Sequence, residues 1–210
     1  MPEADFFARL GLYVQKNFLD ADLCRMVRAE MSVAESKKAL TVRHGTGESV
    51  LDEDFRNCWH SSVTKSTRRI VEEGIKALRP ALEEHFTISL SGYEKPSFLL
   101  YRNGDFFAPH IDVRKSPDPS TPENVMTQYT DKRKISIILF LNRHSEDAAP
   151  DSFSGGSLVL YGLLDKPDLT SIGFPLVAEE GLLVAFRSDL MHEVKAVTGG
   201  ERYTAVSWFS

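Results

Sequence analysis

Residues 101–112 read Tyr-Arg-Asn-Gly-Asp-Phe-Phe-Ala-Pro-His-Ile-Asp and close on a His-x-Asp triplet. If this segment is extended, residues two positions apart project from the same face, so the imidazole of His110 and the carboxylate of Asp112 point together. An imidazole beside a carboxylate is half of a metal site. The triplet is a weak signal by itself, and its interpretation depends on the rest of the chain.

A second imidazole, His192, lies far downstream, after the apolar run 182–186 and a turn-like Arg-Ser-Asp at 187–189. A third ligand on a different strand is what a metal site in the mouth of a β-barrel needs. Two histidines and one carboxylate on one face of an octahedron leave three positions open, which is the arrangement of non-haem Fe(II) oxygenases. The alternative for His192 is a capping or hydrogen-bonded surface histidine.

The last predicted strand begins with an arginine. Period-2 alternation places Arg202, Thr204, Val206 and Trp208 on one face and Tyr203, Ala205, Ser207 and Phe209 on the other. A permanently charged guanidinium beside a hydroxyl, both facing a barrel interior, is costly to bury without an anionic partner. A dicarboxylate ligand would supply that partner through a bidentate pair. The alternative is an exposed arginine at the end of a strand.

The remaining pattern predicts a helical layer followed by a β-rich half. Asp20 is a candidate N-cap for a helix over 21–34, and apolar spacing predicts a second helix over 66–84, which Pro80 would kink or shorten. From about residue 96, short β-rich runs alternate with Gly, Pro, Asn or Asp, as in a sandwich or barrel. These runs span 98–101, 135–141, 157–161, 182–186, 194–197 and 203–209. Residues 40–63 give no clear pattern, and 56–60 either line a substrate cleft or pack beneath the barrel.

Composition limits the classes of function. The 210 residues suffice for one domain, and 25 Lys+Arg against 30 Asp+Glu give a net charge of -5, which argues against a nucleic-acid or anionic-membrane partner. No window approaches the roughly 18 apolar residues of a membrane span, and the acidic N-terminus does not resemble an export signal. The chain has 2 cysteines, Cys24 and Cys58. Two unpaired thiols suit a reducing compartment, so we expect a cytoplasmic protein with no membrane partner.

Five ordered motifs between residues 96 and 209 resemble those of Fe(II)/2-oxoglutarate-dependent dioxygenases, most closely the prolyl 4-hydroxylase-like branch. They are the Tyr…Gly…His-x-Asp run at 101–112, ISIILFLN at 135–142, Gly-Gly-Ser-Leu at 155–158, Met-His-Glu-Val at 191–194 and Arg-Tyr-Thr at 202–204. The resemblance implies a mainly β fold with a double-stranded β-helix (jelly-roll) core and a helical N-terminal layer. We therefore expect a single domain over 1–210, with helical support in 1–95 and the catalytic core in 96–210.

The same resemblance implies a site and a reaction. Fe(II) would be held by His110, Asp112 and His192. Arg202 would bind the C5 carboxylate of the co-substrate 2-oxoglutarate, with Thr204 and Tyr101 as further hydrogen-bond donors. Oxidative decarboxylation of 2-oxoglutarate to succinate would be coupled to hydroxylation of an unactivated C–H bond, with ascorbate as the candidate reductant.

Three positions refine the expected chemistry. Oxygen-sensing members of the branch can place a tyrosine hydroxyl near the C5 carboxylate, whereas this chain offers Phe140 there, so co-substrate binding depends more strongly on Arg202. Related halogenases replace the triad carboxylate by a small residue, so the presence of Asp112 favours hydroxylation. Nucleic-acid demethylases of the superfamily carry a second arginine six residues after the first, where this chain has Trp208.

The expected substrate is a peptide or protein, hydroxylated at a peptidyl proline. The alternatives are a small-molecule or free-amino-acid hydroxylase and, in a different class, a metal-free β-sandwich binding module. Residues 113–133 contain three prolines and are either a functional lid or a disordered segment. Arg114 and Lys115 follow the metal motif directly and are candidate substrate contacts, with solvated loop residues as the alternative. The sequence does not indicate an oligomeric state.

Overall fold

The computed structural model describes residues 3–42, 48–113, 132–147, 149–164 and 171–210. Its helices within these ranges are α1 (Glu3–Arg9), α2 (Ala21–Val33), α3 (Lys65–Ala77) and α4 (Arg79–Phe86). The predicted start of α2 is confirmed, because the Asp20 side chain accepts a hydrogen bond of 2.8 Å from the backbone N–H of Leu23. That bond satisfies one of the free N–H groups of the first turn.

The single helix predicted over 66–84 is two helices. α3 ends at Ala77 and α4 begins at Arg79, with Leu78 between them. Pro80 occupies the first turn of α4, where its missing N–H and preset φ are compatible with a helix start. The proline therefore begins a new helix instead of shortening the old one.

The strands of the described residues fall in three groups along the chain. The first comprises β1 (Tyr13–Gln15), β2 (Lys37–Lys38), β3 (Thr41–Val42), β4 (Ser49–Val50), β5 (Arg56–Asn57) and β6 (Trp59–Ser61). The second comprises β7 (Ser97–Tyr101), β8 (Phe106–His110), β9 (Ile135–Phe140), β10 (Arg143–His144), β11 (Ser152–Gly155) and β12 (Leu158–Tyr161). The third comprises β13 (Gly173–Leu176), β14 (Leu183–Arg187), β15 (His192–Val194), β16 (Val197–Gly200) and β17 (Arg202–Phe209).

Two larger sheets face each other. The described strands form a 7-stranded sheet in the order β1-β14-β9-β17-β7-β6-β2 and a 5-stranded sheet in the order β13-β12-β15-β8-β5. A 3-stranded sheet, β10-β11-β16, and the pair β3-β4 complete the described strands. Most neighbouring strands in the two larger sheets are not consecutive in sequence, as is typical of a jelly roll.

The predicted run 194–197 is two strands that belong to different sheets. β15 pairs with β12 and β8, whereas β16 pairs with β11. The two residues between them make the crossing, since Lys195 donates its N–H to Ser157 and the carbonyl of Ala196 accepts from Gly156. A short β-rich run cannot show such a change of partner, because residue type alone does not determine which sheet a residue joins.

Two hydrophobic cores lie on the two faces of the 7-stranded sheet. One packs α2, α3 and α4 against its outer face, where Ala205 and Phe209 of β17 are fully buried. The other fills the space between the sheets and includes Val206, with Trp208 packed against it. The alternation predicted for β17 is therefore confirmed, and the face that carries Arg202 is the interior one.

The segment expected to be helical support also supplies strands to both sheets. β6 pairs with β7 in the 7-stranded sheet, and β5 pairs with β8 in the 5-stranded sheet. Residues 40–63, which gave no clear pattern, thus include strands that border the interior. No helix in the described ranges is long and apolar enough to cross a membrane.

Candidate metal and co-substrate site

The two histidines of the predicted metal site lie on neighbouring strands. His110 ends β8, His192 begins β15, and the two residues are direct partners in the antiparallel register. Their ring centroids are 4.2 Å apart. Strand pairing therefore brings together two side chains that are far apart in sequence.

Asp112 reaches the same point from the turn after β8. The backbone N–H groups of Asp112 and Val113 both donate to the carbonyl of Ser188, at 2.9 and 3.2 Å, which fastens this turn to the end of β14. The Asp112 carboxylate oxygens lie 3.7 Å from Nε2 of His110 and 3.6 Å from Nε2 of His192. One candidate ligand atom from each of the three side chains lies within 4.8 Å of the others.

Both imidazoles are oriented by backbone carbonyls. Nδ1 of His110 lies 2.8 Å from the carbonyl of Ala108, and Nδ1 of His192 lies 2.9 Å from that of Leu190. A carbonyl only accepts, so Nδ1 carries the proton in each ring and the Nε2 lone pair is left for a metal. Burial, followed by the charge of a protonated His192, lowers the pKa of His110, which favours the neutral ring that binds metal.

Two donors hold the Asp112 carboxylate from the interior. Ser136 Oγ donates to its Oδ2 at 2.7 Å, and Trp208 Nε1 donates to the same oxygen at 2.9 Å. Burial acts to raise the pKa of Asp112, but the charges of His192, His110 and Arg133 outweigh it and lower that pKa, so the group is a carboxylate at neutral pH. Sequence analysis did not assign Ser136 or Trp208 to the site. The strand alternation that places Trp208 on the same face as Arg202 was the one sequence feature that could have indicated its role.

A buried cation lies in the same interior. Arg202 is 1% exposed and Thr204 is 1% exposed. Among the described residues, Nε and Nη2 of Arg202 and Oγ1 of Thr204 are buried without a hydrogen-bond partner. Unsatisfied buried polar groups are rare in folded proteins, and a buried charge without a partner is rarer still. A carboxylate would satisfy all three atoms, so the residues present fit an anionic ligand such as the far end of 2-oxoglutarate.

Aromatic rings form the walls around this cation. The guanidinium carbon of Arg202 lies 4.9 Å from the ring of Tyr101, 5.1 Å from Phe140 and 5.9 Å from Phe153. Phe140 has no hydroxyl to offer a ligand, as the sequence indicated. Burial, together with the neighbouring Cys58 thiol, raises the pKa of Tyr101, so its hydroxyl keeps its proton and remains a donor.

The segment 56–60, for which two roles were left open, borders this interior. Cys58 is fully buried in the core between the sheets, and Arg56 donates from Nε to its sulfur at 3.3 Å. The Arg56 guanidinium lies 4.6 Å from the ring of Phe107, which in turn stacks on His110 at 3.6 Å. Arg114 and Lys115 fall outside the described residues, as does most of the segment 113–133.

Comparison with known proteins agrees with this geometry. The family described as the 2OG-Fe(II) oxygenase superfamily matches residues 96–210. A PKHD-type hydroxylase of Bordetella pertussis is 31% identical over 113 residues, and one of Pseudomonas putida is 30% identical over 116 residues. Each match covers 54% of this chain and 42% of the relative, so the aligned part spans less than half the length of these curated relatives.

Solved structures show the same fold over nearly the whole chain. A prolyl-4-hydroxylase of Pseudomonas putida aligns with a TM-score of 0.65 at 23% identity, covering 98% of this chain and 95% of that one. A prolyl hydroxylase of Trichoplax adhaerens, solved with a peptide fragment of the hypoxia inducible factor oxygen degradation domain, aligns with a TM-score of 0.66 at 17% identity, covering 98% and 88%. The predicted jelly-roll fold is confirmed. Since the family profile matches residues 96–210, more than half of the sequence, this chain belongs to the 2OG-Fe(II) oxygenase superfamily.

Proposed function

We propose that this chain is an Fe(II)- and 2-oxoglutarate-dependent hydroxylase that acts on a peptidyl proline. The observation that carries the proposal is the pairing of two features in one interior. His110, Asp112 and His192 converge with their ligand atoms within 4.8 Å, and Nε and Nη2 of the buried Arg202 find no hydrogen-bond partner among the residues that the structure describes. A metal-free binding module would need neither feature.

The two halves of the site have separate tasks. His110, Asp112 and His192 would hold Fe(II), which with 2-oxoglutarate and dioxygen supplies the oxidation of a C–H bond while the co-substrate becomes succinate. Ascorbate would serve as the reductant that keeps the iron ferrous. Arg202 and Thr204 would bind the C5 carboxylate, and Tyr101 would contribute a further hydroxyl donor. The aromatic walls keep water from this charge pair, which strengthens it.

Several features support a peptide substrate. The solved relatives include a prolyl hydroxylase holding a peptide fragment. Apolar side chains next to the metal ligands are accessible: Ile111 is 44% exposed and Met191 is 43% exposed. A proline ring and its flanking residues would cover such a surface, whereas a small polar metabolite would not need it. The two cysteines are free and buried, which fits a reducing cytoplasm.

The first experiment is an anaerobic titration of the protein with Fe(II) and 2-oxoglutarate, followed by a succinate assay when oxygen is admitted. Wild type should release succinate. His192→Ala should release at least about 100-fold less, because a site with only two of its three ligands binds the metal weakly. His85→Ala, in α4 of the helical layer, where the ring contacts Tyr13 and Phe86, is the matched control. Equal succinate release by wild type and His192→Ala would overturn the mechanism.

The substrate is tested separately, by mass spectrometry of candidate peptides and of free amino acids after turnover. Proline-containing peptides should gain one oxygen atom, and the modified residue should be proline. Oxidation of free amino acids or small acids, with no peptide modified, would replace the peptide assignment by the small-molecule alternative while leaving the oxygenase chemistry intact.

A further inference from the structure

The hydrogen bonds to Asp112 are unequal between its two oxygens. Ser136 Oγ and Trp208 Nε1 both donate to Oδ2, at 2.7 and 2.9 Å. Oδ2 also lies 3.6 Å from Nε2 of His192, whereas Oδ1 lies 3.7 Å from Nε2 of His110. Ser136 and Trp208 are direct partners across β9 and β17, so both side chains project into the interior from one position of the sheet. The sheet register thus brings two donors to a single oxygen atom.

The direction of each proton follows from the chemistry of the groups. A carboxylate only accepts, and a serine hydroxyl has one proton to give. Ser136 therefore gives its proton to Asp112, and the hydroxyl of Ser188 lies 3.0 Å from Ser136 Oγ. Ser188 also accepts the backbone N–H groups of Asp112 and Val113 through its carbonyl. Asp112 is therefore held at its backbone by Ser188 and at one carboxylate oxygen by Ser136.

Trp208 is itself held from its far side. The Arg133 guanidinium lies 3.6 Å from the centroid of its ring, close enough for a cation–π contact. Arg133 is fixed by Glu94 through two hydrogen bonds, of 2.5 and 2.6 Å, and both side chains are mostly buried. The backbone N–H of Glu94 donates to the carbonyl of Trp208 at 2.8 Å, which closes the cluster.

We propose that Trp208 and Ser136 are positioning residues for the metal ligand Asp112. By occupying Oδ2, they leave Oδ1 to bind the metal through one atom, and Arg133 keeps the indole in place. A carboxylate that used both oxygens would take an additional coordination position, whereas the two-histidine, one-carboxylate site requires three positions to remain open. Outer partners of this kind set the geometry and affinity of a metal site. The inference rests on the proposed function only in assigning a divalent metal to the triad.

The test is the Mn(II) affinity of the otherwise metal-free protein, measured by the free-ion signal in electron paramagnetic resonance. Trp208→Phe keeps an aromatic ring on which Arg133 can stack but removes the N–H group that donates to Asp112. We expect its dissociation constant for Mn(II) to rise about 10- to 100-fold, with the unfolding temperature of the metal-free protein within a few degrees of wild type. Ser136→Ala should act in the same direction. Trp59→Phe, which changes the other tryptophan, is the matched control and should bind as wild type does.

A double-mutant cycle separates positioning from a general structural effect. If Trp208 acts through Asp112, then Trp208→Phe should add almost nothing to the loss in an Asp112→Ala background. Arg133→Gln should give a smaller loss of affinity, about two- to fivefold, because it removes only the stacked cation. Wild-type Mn(II) affinity in both Trp208→Phe and Ser136→Ala would overturn the inference. Failure of wild type to bind Mn(II) would instead contradict the proposed function.

Discussion

The ring of Phe140 lies 5.1 Å from the guanidinium carbon of Arg202, so a buried cation packs against an apolar face that accepts no hydrogen bond. Burial lowers the pKa of Arg202, because removal from water disfavours the charged guanidinium. The ligand-free protein therefore carries an energetic cost that binding of an anion would relieve. This relationship leads to two predictions about co-substrate binding.

Arg202→Met should stabilise the ligand-free protein. Methionine fills a similar volume without a charge, so we expect the free energy of unfolding to increase by about 1–3 kcal/mol. The same variant should no longer be stabilised by added 2-oxoglutarate. Urea unfolding of both proteins, with and without the co-substrate, measures both effects. A ligand-free Arg202→Met that unfolds more readily than wild type would mean that the guanidinium already has a partner.

Phe140→Tyr should tighten 2-oxoglutarate binding. The new hydroxyl would lie beside the guanidinium, where a carboxylate bound to Arg202 could accept from it, and one such hydrogen bond contributes about 1 kcal/mol. We expect the KM for 2-oxoglutarate to fall about fivefold with little change in kcat. Phe153→Tyr, on a ring slightly farther from Arg202, is the control. An unchanged or higher KM would show that the position does not face the ligand.

His60 should make the protein sensitive to mild acid. Burial, assisted by the charge of Arg56, lowers its pKa to about 4, below the value of about 6.5 in an unfolded chain. Between these values the unfolded chain takes up a proton that the folded protein does not. Stability is therefore full above pH 6.5 and is lost as the pH falls towards 4. We expect the free energy of unfolding to fall by about 2 kcal/mol. This is less than the full pKa difference would give, because the ring is partly exposed and water screens its charge.

The comparison that isolates His60 is urea unfolding of wild type and His60→Gln between pH 8 and pH 4. At pH 8 the difference reports packing alone, because the imidazole is neutral in both states of the chain. The free energies of unfolding of wild type and His60→Gln should converge as the pH falls towards 4. Parallel pH profiles would show that another group causes the acid sensitivity.

Gly181 is required by close backbone contact. It has a φ of +75°, and a Cβ built there would lie 2.1 Å from the carbonyl oxygen of Leu19. Gly181→Ala should therefore destabilise the protein by about 3 kcal/mol or more, from strain and a backbone clash together. Gly104 has a φ of +86° with no atom within 4 Å of such a Cβ, so Gly104→Ala should cost only about 1–2 kcal/mol. Equal losses in thermal unfolding would show that the clash is relieved by movement of α2.

Local patterns were sufficient for much of the site. The triplet His110-Ile111-Asp112, the position of His192 after a strand and the alternation of β17 depend on neighbours only a few residues apart. Spacing of two residues determines a shared strand face whatever the rest of the fold does. These signals placed the candidate ligands and Arg202 correctly on the interior, and the motif order identified the fold class.

Other features depended on pairing over long distances. Trp208 reaches Asp112 across 96 residues of sequence, and Ser136 does so across 24. The two-residue strand β5 and the three-residue strand β6 are too short to show a period, so their place in the two sheets was not predictable. The division of 194–197 between two sheets was not predictable either, because residue type does not determine which sheet a strand joins.

The sequence by itself determined the chemistry: which side chains could hold a metal, which could bind a dicarboxylate, and which strand face carried them. These follow from residue type and short-range geometry. Only the tertiary structure decided how that chemistry is supported, because sheet register sets which distant residues meet. It placed Trp208 and Ser136 on one oxygen of Asp112, and it buried Arg202 among aromatic rings.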